Sequence, residues 1–592
     1  MKDETGFAKL NTKFGAVDKN CPLPEYPRPQ LKRDSYISLN GEWDFSIVTS
    51  YGIIRSSGKI LVPFSPECSA SGVNESLRPT ETLKYRKAFA LRGDSIESRV
   101  LLNFGAVDCC CTVLLNGEKI CTHNGGYLPF SVEITRFLKD ENVLELTVTD
   151  ASDASDLYAV GKQKLKRGGI FYTPQSGIWQ SVWLESVPEN YVKSLVITPS
   201  FAKSEVFIKA ETALPVERGS VKIFFNGELL SENELNPDGI TVKLNGVMPW
   251  SPDAPSLYDV ELRADEDIVT SYFGVRDIEV RDIKGEKIVC LNGEPLFLNG
   301  LLDQGYFPDG LYTAPTEEAL LFDLTETKRL GFNTLRKHIK IEPLRWYYHC
   351  DRLGIIVIQD MVNGGKPALL NSVPAFLGIG INDTKGGLLS GRSSEQGKEN
   401  YYSDLADEVK LLYNSPAVCV WTPFNEGWGQ FCALEAEKRV RESDGTRLID
   451  HASGWHDQGG GDFLSLHIYF KKLSLPKKSK YKIKRAKYIS EFGGYGHNEA
   501  GHVFNLNKAF GYIIYSNKDT LNEKYRSLYY DQVLPLIKDG LTAIIYTQLT
   551  DVEDEINGLF TYDREVLKIS EDIIRGANAA LQEEFNKHFG RK

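Results

Sequence analysis

The fold of this protein is decided by the stretch Val418–Glu426, which reads VCVWTPFNE and is followed by the turn GWG at 427–429. An apolar run of this kind predicts a buried strand, and here it ends abruptly in an amide and a carboxylate. The same pattern recurs at 487–494, KYISEFGG, where Glu491 follows a second apolar run. Polar groups at the carboxyl ends of buried strands are typical of barrel enzymes, which keep their chemistry there.

The region around these two stretches alternates between strand-like and helix-like segments. From about residue 282 onward, eight apolar runs are separated by helical patterns such as Thr316–Leu330 and Glu342–Leu353. This alternation predicts a (β/α)8 TIM barrel over residues 282–592. A glycine-rich insert, Gly364–Arg392, follows the third strand, where a long loop is expected at the mouth of the barrel. The predicted strands are 296–299, 334–336, 355–360, 418–424, 447–450, 463–467, 488–490 and 543–548.

The first 281 residues contain short alternating runs with no helical period. Asn116-Gly117 lies between two such runs, which predicts a β-hairpin. Many short strands broken by turn residues are typical of sandwiches. We therefore predict a multidomain protein of the β plus α/β class. It consists of an N-terminal jelly-roll β-sandwich at 1–188, an immunoglobulin-like β-sandwich at 189–281 and the C-terminal barrel.

The composition indicates a globular protein and disfavours two kinds of partner. The chain has 592 residues, of which 42% are hydrophobic and 25% charged. Its formal net charge of -11 disfavours nucleic-acid binding, which usually requires a basic face. The chain has no apolar run long enough for a transmembrane helix, so we expect no membrane partner.

The N-terminal residues and the cysteines bear on localisation. The N-terminus lacks the apolar core of a signal peptide. This predicts a cytoplasmic protein or, alternatively, a periplasmic or secreted protein whose signal has been removed. The ten cysteines are scattered and form no CxxC pair. They predict buried free thiols rather than a zinc site or a disulfide framework.

Polar and aromatic side chains follow most of the predicted barrel strands, where they would face one another. Sugar hydroxyls need hydrogen-bond donors and acceptors in pairs, and the apolar face of a pyranose needs an aromatic platform. The ring of side chains therefore predicts a small carbohydrate as the ligand. Its members are Arg336, His338, Asp360, Asn425, Glu426, Trp428, His451, Trp455, His467, Tyr469, Glu491, Gln548 and Asp551.

Glu426 and Glu491 are the candidate catalytic carboxyl groups. Hydrolysis of a glycosidic bond requires one carboxyl that protonates the leaving oxygen and one carboxylate that attacks or activates water. The distance between the two groups separates a retaining from an inverting mechanism, and the sequence does not give that distance.

Each of these residues also has a purely structural interpretation. Asn425 and Glu426 would suit the start of a helix, where Asn caps the backbone and Glu favours the positive end of the dipole. Glu491 would fit an ordinary polar strand end, and His338 and His467 would fit a core position or a metal site. Chance rarely places such groups at the same end of six or more strands, so the functional interpretation is favoured.

Over nearly its whole length the chain resembles glycoside hydrolase family 2. The N-terminal part is similar to that family's sugar-binding jelly roll, and FGVR at 273–276 is similar to the close of its middle sandwich. LNGEPLFLNG at 291–300 resembles the entry to its barrel, and GFNTLR at 331–336 resembles its second strand. The jelly-roll motifs are NGEWDF at 40–45, LLNG at 114–117, HNGGYLPF at 123–130 and GIWQSVWLE at 177–185.

The resemblance implies a retaining mechanism with named roles. It assigns Glu426 as the general acid/base and Glu491 as the nucleophile. We therefore expect a raised pKa for Glu426, which must be neutral as an acid, and a charged Glu491 beside Arg336. It also implies that Tyr469 hydrogen-bonds the nucleophile.

Further contacts with the sugar follow from the same resemblance. Asn425 is expected to bind the hydroxyl next to the anomeric carbon. His467 stands where the family often has Asn. Loops of the jelly roll reach the sugar in some members, and here Asp153 or Asp156 would do so.

The resemblance implies an exo-acting β-glycosidase that releases a terminal sugar. We predict a β-galactosidase, with β-mannosidase and β-glucuronidase as alternatives. Family β-glucuronidases carry an Asn-x-Lys motif, whereas the corresponding segment here, Glu555–Tyr562, contains no lysine. This argues against glucuronides.

Two further properties and two rival functions complete the predictions. The histidine partner of a family metal site is not matched, so we expect no metal and no other cofactor. Family members often form dimers or tetramers, which allows a homo-oligomer. Two rival functions belong to other classes of protein. One is a non-catalytic carbohydrate-binding protein with an inactive barrel, and the other is a scaffold whose sandwiches bind a partner protein.

Overall fold

The N-terminal domain of the computed structural model is a β-sandwich. The structure describes residues 7–14, 17–91, 98–365, 380–385, 391–476 and 484–590. Two antiparallel sheets enclose one hydrophobic core that contains Trp43, and burial alternates along Asn142–Thr149 with the two-residue period of a strand. Asn116 and Gly117 both have positive φ and join two paired strands, which confirms the predicted hairpin. In spatial order the six-stranded sheet contains Ile54–Val62, Gly41–Val48, Thr82–Phe89, Asn142–Thr149, Cys110–Leu115 and Glu118–Asn124. The four-stranded sheet contains Tyr36–Ser38, Val182–Val187, Arg99–Phe104 and Phe130–Glu133.

The middle domain is a second, smaller sandwich with its own core. A three-stranded and a four-stranded antiparallel sheet pack their apolar residues around Val221, Tyr258 and Leu262. The three-stranded sheet contains Val192–Ser200, Glu205–Thr212 and Ile240–Lys243. The four-stranded sheet contains Glu228–Glu234, Gly219–Phe225, Tyr258–Ala264 and Asp267–Phe273.

A short hairpin closes one end of the barrel and shifts the second domain boundary. The strands Ile278–Ile283 and Glu286–Leu291 pair with each other. Ile278, Ile288 and Leu291 belong to the barrel's hydrophobic core rather than to the core of the middle sandwich. The predicted boundary between residues 281 and 282 therefore falls inside a strand that packs with the barrel.

The C-terminal domain is an eight-stranded parallel barrel. Hydrogen-bonded ladders run from the sixth strand through the seventh, eighth and first to the fifth, so the sheet is nearly closed. These strands are buried on both faces, as parallel strands covered by helices must be. The predicted fold class, two sandwiches followed by a TIM barrel, is confirmed. In chain order the barrel strands are Leu298–Asp303, Thr334–Lys337, Ile356–Asp360, Val418–Thr422, Leu448–Ile449, Phe463–Ile468, Ala486–Gly493 and Leu541–Thr547.

Helices connect the barrel strands and begin at capping residues. Thr316, Ser394 and Asn517 each accept a hydrogen bond from a backbone N–H of the first turn. In the described ranges no helix combines the length and apolar character needed to cross a bilayer. The α-helices are Glu317–Arg329, Leu344–Leu353, Glu395–Leu412, Ala433–Ser443, Lys518–Ser527, Leu534–Ile537 and Glu571–Phe589, and Leu528–Val533 forms a π-helical turn.

A buried ionic network joins the two sandwiches. The carboxylate of Glu185 lies 2.8 Å from Arg28 Nη2 and 2.9 Å from Arg33 Nη1, and Arg33 Nη2 lies 2.8 Å from Asp267 Oδ2. Burial alone would raise the pKa of Glu185, but the charges of Arg28 and Arg33 outweigh it and lower that pKa. Because Asp267 belongs to the middle domain, the network fixes the relative position of the two sandwiches.

Thr12, which lies well before the first sandwich strand, binds the barrel. The backbone N–H and hydroxyl of Thr12 both donate to Asp309 Oδ2. All ten cysteines carry free thiols, but only six of them are buried as predicted, since Cys110, Cys121 and Cys432 are half-buried and Cys21 is exposed.

Candidate active site

The carboxyl ends of the barrel strands bring a charged cluster together. Arg336 ends the second strand, Asp360 the third, and Asn425 and Glu426 follow the fourth. His467 lies on the sixth strand and Glu491 on the seventh. Parallel strands around a barrel place these positions at one end, which is why residues far apart in the chain meet.

Arg336 is the hub of this cluster and is fully buried. Its Nε lies 2.9 Å from Asp360 Oδ1, and its Nη1 lies 3.1 Å from Glu491 Oε1. Its Nη2 donates to Asn425 Oδ1 at 2.7 Å. Burial alone would lower the pKa of Arg336, but the charges of Asp360 and Glu491 outweigh it and raise the pKa. A permanent cation therefore holds one oxygen of Glu491 in place.

Glu491 receives a second hydrogen bond from an aromatic pair. The hydroxyl of Tyr469 lies 2.7 Å from Glu491 Oε2 and 2.7 Å from Thr547 Oγ1. The ring of Tyr469 stacks on Tyr512 with centroids 3.7 Å apart. The two oxygens of Glu491 thus bind different donors, so the orientation of the carboxylate is fixed from both sides.

Glu426 pairs with His467, and this pair corrects one expectation. His467 Nδ1 lies 2.8 Å from Glu426 Oε1. Burial alone would raise the pKa of Glu426, but the hydrogen bond and charge of His467, together with the charges of Lys162 and Arg336, lower it. The raised pKa expected for Glu426 is therefore wrong, because the sequence argument did not include the effect of His467, Lys162 and Arg336 on this carboxyl.

His338 supports Asp360 rather than the carboxylate pair. Its Nδ1 lies 2.7 Å from Asp360 Oδ2. Burial lowers the pKa of His338 to about 4, so its ring is neutral at physiological pH. Asp360 in turn has a lowered pKa, since burial is outweighed by Arg336 and His338. The chain His338–Asp360–Arg336 fixes the guanidinium that binds Glu491.

The two candidate catalytic carboxylates lie close together. One oxygen of Glu426, one oxygen of Glu491 and a ring nitrogen of His467 all lie within 4.8 Å of one another. Such a donor set also resembles a metal site. However, His467 Nδ1 and Glu426 Oε1 already bind each other at 2.8 Å, and Arg336 already supplies a positive charge to Glu491. A second group of this kind, Asp108, Cys109 and Asp150, is buried in the N-terminal domain.

Two tryptophans lie in loops that follow barrel strands: Trp428 follows the fourth strand, just after Glu426, and Trp455 follows the fifth. Trp428 is half-buried, packs edge-on against Phe171 of the N-terminal domain at 5.7 Å, and donates from Nε1 to Gly365 O at 3.2 Å. Trp455 is half-buried in the loop after the fifth strand, and its backbone N–H donates to Ser453 O. Trp428 is therefore part of a wall built by two domains.

Three further predicted site residues have partners within the protein. His451 accepts from the Gln458 backbone at 3.2 Å. Asp551 binds Lys568 Nζ at 2.6 Å, and its pKa rises to about 6 because burial outweighs that contact. Gln548 is fully buried, accepts from Gln304 and donates to Asn557. Their contact with a sugar stays a prediction.

Four residues that the sequence argument did not identify line the same region. Tyr512 lies under Tyr469, and Tyr172 donates from its hydroxyl to Glu555 Oε2. The charge of Lys162 acts on both Glu426 and Glu555. Lys162 and Tyr172 belong to the N-terminal domain. None of the four ends a barrel strand, so the strand-end pattern does not include them.

The jelly roll therefore reaches the barrel, through Lys162 and Tyr172 and also through Asp156. Asp156 Oδ2 accepts hydrogen bonds from the backbones of Ser393 and Ser394 at the start of a helix. Asp153 accepts from the backbone of Leu165. These hydrogen bonds fix both carboxylates in loop structure, and a contact of either aspartate with a sugar stays a prediction.

The insert predicted at the mouth, Gly364–Arg392, lies largely outside the described residues. Of its described part, Arg392 is buried and donates to Gly364 O at 3.1 Å and Gly397 O at 2.9 Å. These bonds fix the point at which the insert rejoins the barrel.

Comparison with known families gives two matches in the order of the domains. The model described as the glycosyl hydrolase 2 galactose-binding domain-like family matches residues 73–166. The model for the TIM barrel domain of glycosyl hydrolases family 2 matches residues 280–491. Together the matches span just over half of the chain.

Individual relatives are distant. A β-galactosidase of Thermoanaerobacter pseudethanolicus is 26% identical over 304 residues, which are 47% of this chain and 39% of the relative. A putative β-glucuronidase of Formosa agariphila is 25% identical over 393 residues, 62% of this chain and 34% of the relative. The chain thus aligns with only about two fifths or less of the length of these relatives.

A solved structure covers the chain more completely. The β-glucuronidase of Faecalibacterium prausnitzii superimposes with a TM-score of 0.71 at 18% identity, covering 94% of this chain and 99% of that protein. At this identity the likeness describes the fold alone.

Proposed function

Because the chain belongs to glycosyl hydrolase family 2, we propose that it is a retaining, exo-acting β-glycosidase. The observation that carries the proposal is the approach of Glu426 and Glu491, whose oxygens lie within 4.8 Å of each other. Carboxyl groups about 5–5.5 Å apart are typical of retaining enzymes, whereas inverting enzymes need about 6.5–9.5 Å to admit a water. The spacing supports direct attack by one of the two carboxylates.

Glu491 is the proposed nucleophile. Its carboxylate is held by Arg336 at 3.1 Å and by Tyr469 at 2.7 Å, which orients it and favours the ionised form that attacks the anomeric carbon. The attack forms a glycosyl–enzyme ester and expels the leaving oxygen. Water then attacks the anomeric carbon from the face opposite the ester and releases the carboxylate of Glu491, so two inversions give net retention.

Glu426 is the proposed general acid/base. It gives its proton to the leaving oxygen in the first step and takes a proton from the attacking water in the second. The lowered pKa of Glu426 favours its ionised form. A bound sugar excludes water from the carboxyl, and this further desolvation raises the pKa toward the value that an acid needs.

We propose more specifically that the substrate is a β-galactoside, from which the enzyme releases a terminal galactose. Relatives named β-galactosidase occur in Thermoanaerobacter pseudethanolicus and Streptococcus thermophilus. The alternative substrate is a β-glucuronide, because proteins of similar fold, including one from Faecalibacterium prausnitzii, are named β-glucuronidase. Against it, the segment Glu555–Tyr562 contains no lysine.

The test is a panel of p-nitrophenyl β-glycosides with the purified protein. The panel contains the galactoside, glucuronide, mannoside, glucoside and arabinoside. We expect hydrolysis, fastest for the galactoside, with the β-anomer as the first product seen by proton NMR. Binding of a sugar without hydrolysis of any member would instead indicate an inactive barrel, and an α-anomer as first product would contradict retention.

A further inference from the structure

A cavity separate from the catalytic cluster lies where all three domains meet. Its volume is about 690 Å³, within the range of about 300–1,000 Å³ that small-molecule sites have. It is lined by both sandwiches, by the segment that precedes them and by three barrel helices. Arg336, Glu426 and Glu491 are not among the residues that line it, so the cavity is a second place where a ligand fits.

The floor of this cavity is the outer face of the four-stranded sheet of the N-terminal domain. Asn103 lies directly opposite Trp183 on one neighbouring strand and directly opposite Ser131 on the other, and all three line the cavity. Leu102 and Leu184, which flank this row, point into the sandwich core, so the row points away from it. An aromatic ring, an amide and a hydroxyl thus stand side by side, with Cβ atoms about 5 Å apart.

A stack of three aromatic rings forms the wall beside this row. The ring of Phe130 lies nearly parallel to that of Phe104, with centroids 4.7 Å apart, and nearly parallel to that of His123, with centroids 4.2 Å apart. Among the described residues the buried Nε2 of His123 has no hydrogen-bond partner. Aromatic rings pack against the apolar face of a pyranose, and a ring nitrogen offers a hydrogen bond to a hydroxyl.

The segment before the first sandwich strand adds an amide to the lining. Gln30 donates from Nε2 to Asn414 O at 3.1 Å, which fixes its side chain. Its Oε1 is buried and lacks a partner in the part of the chain that the structure describes. A buried acceptor without a donor is unfavourable, and a ligand that donates a hydrogen bond removes this penalty.

The opposite wall is the helix Glu395–Leu412. Ser403, Asp404 and Asp407 lie on one face of this helix, since they are three and four residues apart, and all of them line the cavity. Ser403 and Asp407 are exposed, and so is Ser131 on the facing sheet. The cavity therefore opens to solvent between the sheet and this helix.

The charges around the cavity favour a neutral ligand. Arg28 Nη2 lies 2.8 Å from Glu185 Oε2. Arg345 Nε lies 2.9 Å from Glu317 Oε1, so both guanidinium groups are already neutralised. Burial raises the pKa of Asp404 to about 7, which reduces its negative charge at neutral pH. The lysines of the lining are exposed at its rim and are Lys193 and Lys410.

We propose that this cavity is a second carbohydrate site, which binds a neutral oligosaccharide apart from the catalytic cluster. The stack of three rings offers an apolar platform, and Asn103, Ser131 and Gln30 supply donors and acceptors for hydroxyls, each of which both donates and accepts. Because the lining comes from three domains, the bound oligosaccharide contacts all of them. The site binds its ligand without hydrolysis, so it does not depend on the proposed glycosidase activity.

The test measures binding of disaccharides by calorimetry in the Glu491→Ala background, so that no probe is hydrolysed during the titration. The neutral probes are lactose, cellobiose and mannobiose, and digalacturonate is the acidic comparison. Asn103→Leu removes the amide at nearly constant volume, and Ser403→Trp places an indole in the entrance. The matched control is Ala406→Trp, because Ala406 is exposed on the same helix but does not line the cavity.

We expect at least one neutral disaccharide to bind with a component that Ser403→Trp abolishes and Ala406→Trp retains. Asn103→Leu should weaken this component about tenfold, because a buried partner of the sugar hydroxyls is lost. Asn103 is buried and Ser403 is exposed, so Ser403→Trp keeps the test valid even where Asn103→Leu impairs folding.

Two results overturn the second site. The first is that Ser403→Trp leaves the binding of all three neutral disaccharides unchanged, which includes the case in which none of them binds. The second is that digalacturonate binds more tightly than every neutral probe and loses this binding in Ser403→Trp, since the cavity then takes an anion. Either result holds whether or not the wild-type protein hydrolyses glycosides.

Discussion

The imidazole Nδ1 of His467 lies 2.8 Å from Oε1 of Glu426 and 3.5 Å from Oε2 of Glu491. One ring nitrogen thus approaches both carboxylates of the proposed catalytic pair. Its Nε2 lies 3.2 Å from Ser453 Oγ, which orients the ring from behind. His467 is placed to couple the charge of the acid to that of the nucleophile.

Replacing His467 should change the pH dependence of activity. His467 is a principal cause of the lowered pKa of Glu426, so His467→Gln should raise that pKa. Glu426 must be protonated to act as the acid, and activity falls as pH rises through its pKa. The basic limb of kcat/KM should therefore move up by about one pH unit or more, since a hydrogen bond to a charged group contributes about 1.5–3 kcal/mol and one pKa unit is about 1.4 kcal/mol.

The control for this prediction is Ser453→Ala. It removes the hydroxyl beside His467 Nε2 but keeps the ring and its hydrogen bond to Glu426. The basic limb of the kcat/KM profile should therefore stay near its wild-type pH. A limb that is unchanged or moves down in His467→Gln would show that His467 does not set the charge of Glu426.

Tyr469→Phe should slow the chemical step. The variant removes the hydroxyl that lies 2.7 Å from Glu491 Oε2 but keeps the ring stacked on Tyr512. Loss of a hydrogen bond of about 1.5–3 kcal/mol to a charged group corresponds to a fall of about 10- to 100-fold in kcat. Pre-steady-state measurement of the released nitrophenol gives the rate of the first step directly.

Thr547→Val serves as the comparison, because it removes the other partner of the same hydroxyl and leaves the bond to Glu491. The fall in kcat should be smaller for Thr547→Val than for Tyr469→Phe. An equal fall in both variants would indicate that the hydroxyl network positions the loop rather than the nucleophile.

Glu185→Gln should weaken the junction between the sandwiches. The carboxylate is fully buried between Arg28 and Arg33, and removing one partner of a buried ionic network costs about 3–5 kcal/mol. Urea denaturation should show an earlier unfolding transition, while Glu42→Gln, which affects the exposed contact with Lys59, should leave the transition nearly unchanged.

The pH dependence of this contribution follows from the lowered pKa of Glu185. A group with a lowered pKa in the folded state stabilises the protein above its unfolded-state pKa. That stabilisation is lost as pH falls through the folded-state value. The difference between wild type and Glu185→Gln should therefore shrink in acid. A difference that stays constant down to acidic pH would argue against an ionic origin.

The strand-end argument identifies the centre of the site but not its walls. Arg336, Asn425, Glu426, His467 and Glu491 end or follow buried strands, and barrel geometry alone requires that such positions meet. The same rule also includes residues that have other partners within the protein. Asp551 and His451 follow strands too, but Lys568 and the Gln458 backbone bind them, and no local pattern reveals such partners.

The walls depend on contacts between domains, which a sequence pattern does not encode. Lys162 lies in a polar segment of a β-rich region, and only the docking of its loop on Asn363 brings it to the barrel. Tyr512 lies in a loop, and stacking on Tyr469 places it under the nucleophile's donor. The predicted direction of the Glu426 pKa is wrong for the same reason, because that pKa depends on His467, Lys162 and Arg336, which lie on three separate elements.

The central claim is that Glu491 is the nucleophile of a retaining glycosidase. The most direct measurement uses Glu491→Ala with the best p-nitrophenyl glycoside of the panel, with and without sodium azide. We predict that turnover falls by about 10⁴-fold or more, and that azide restores it by occupying the space of the missing carboxylate.

The product decides the assignment. In Glu491→Ala, azide attacks from the face opposite the leaving group and gives the α-glycosyl azide. In the matched variant Glu426→Ala, azide attacks the glycosyl ester from the other face and gives the β-glycosyl azide. Near-normal hydrolysis by Glu491→Ala, or a β-glycosyl azide from that variant, would contradict the account.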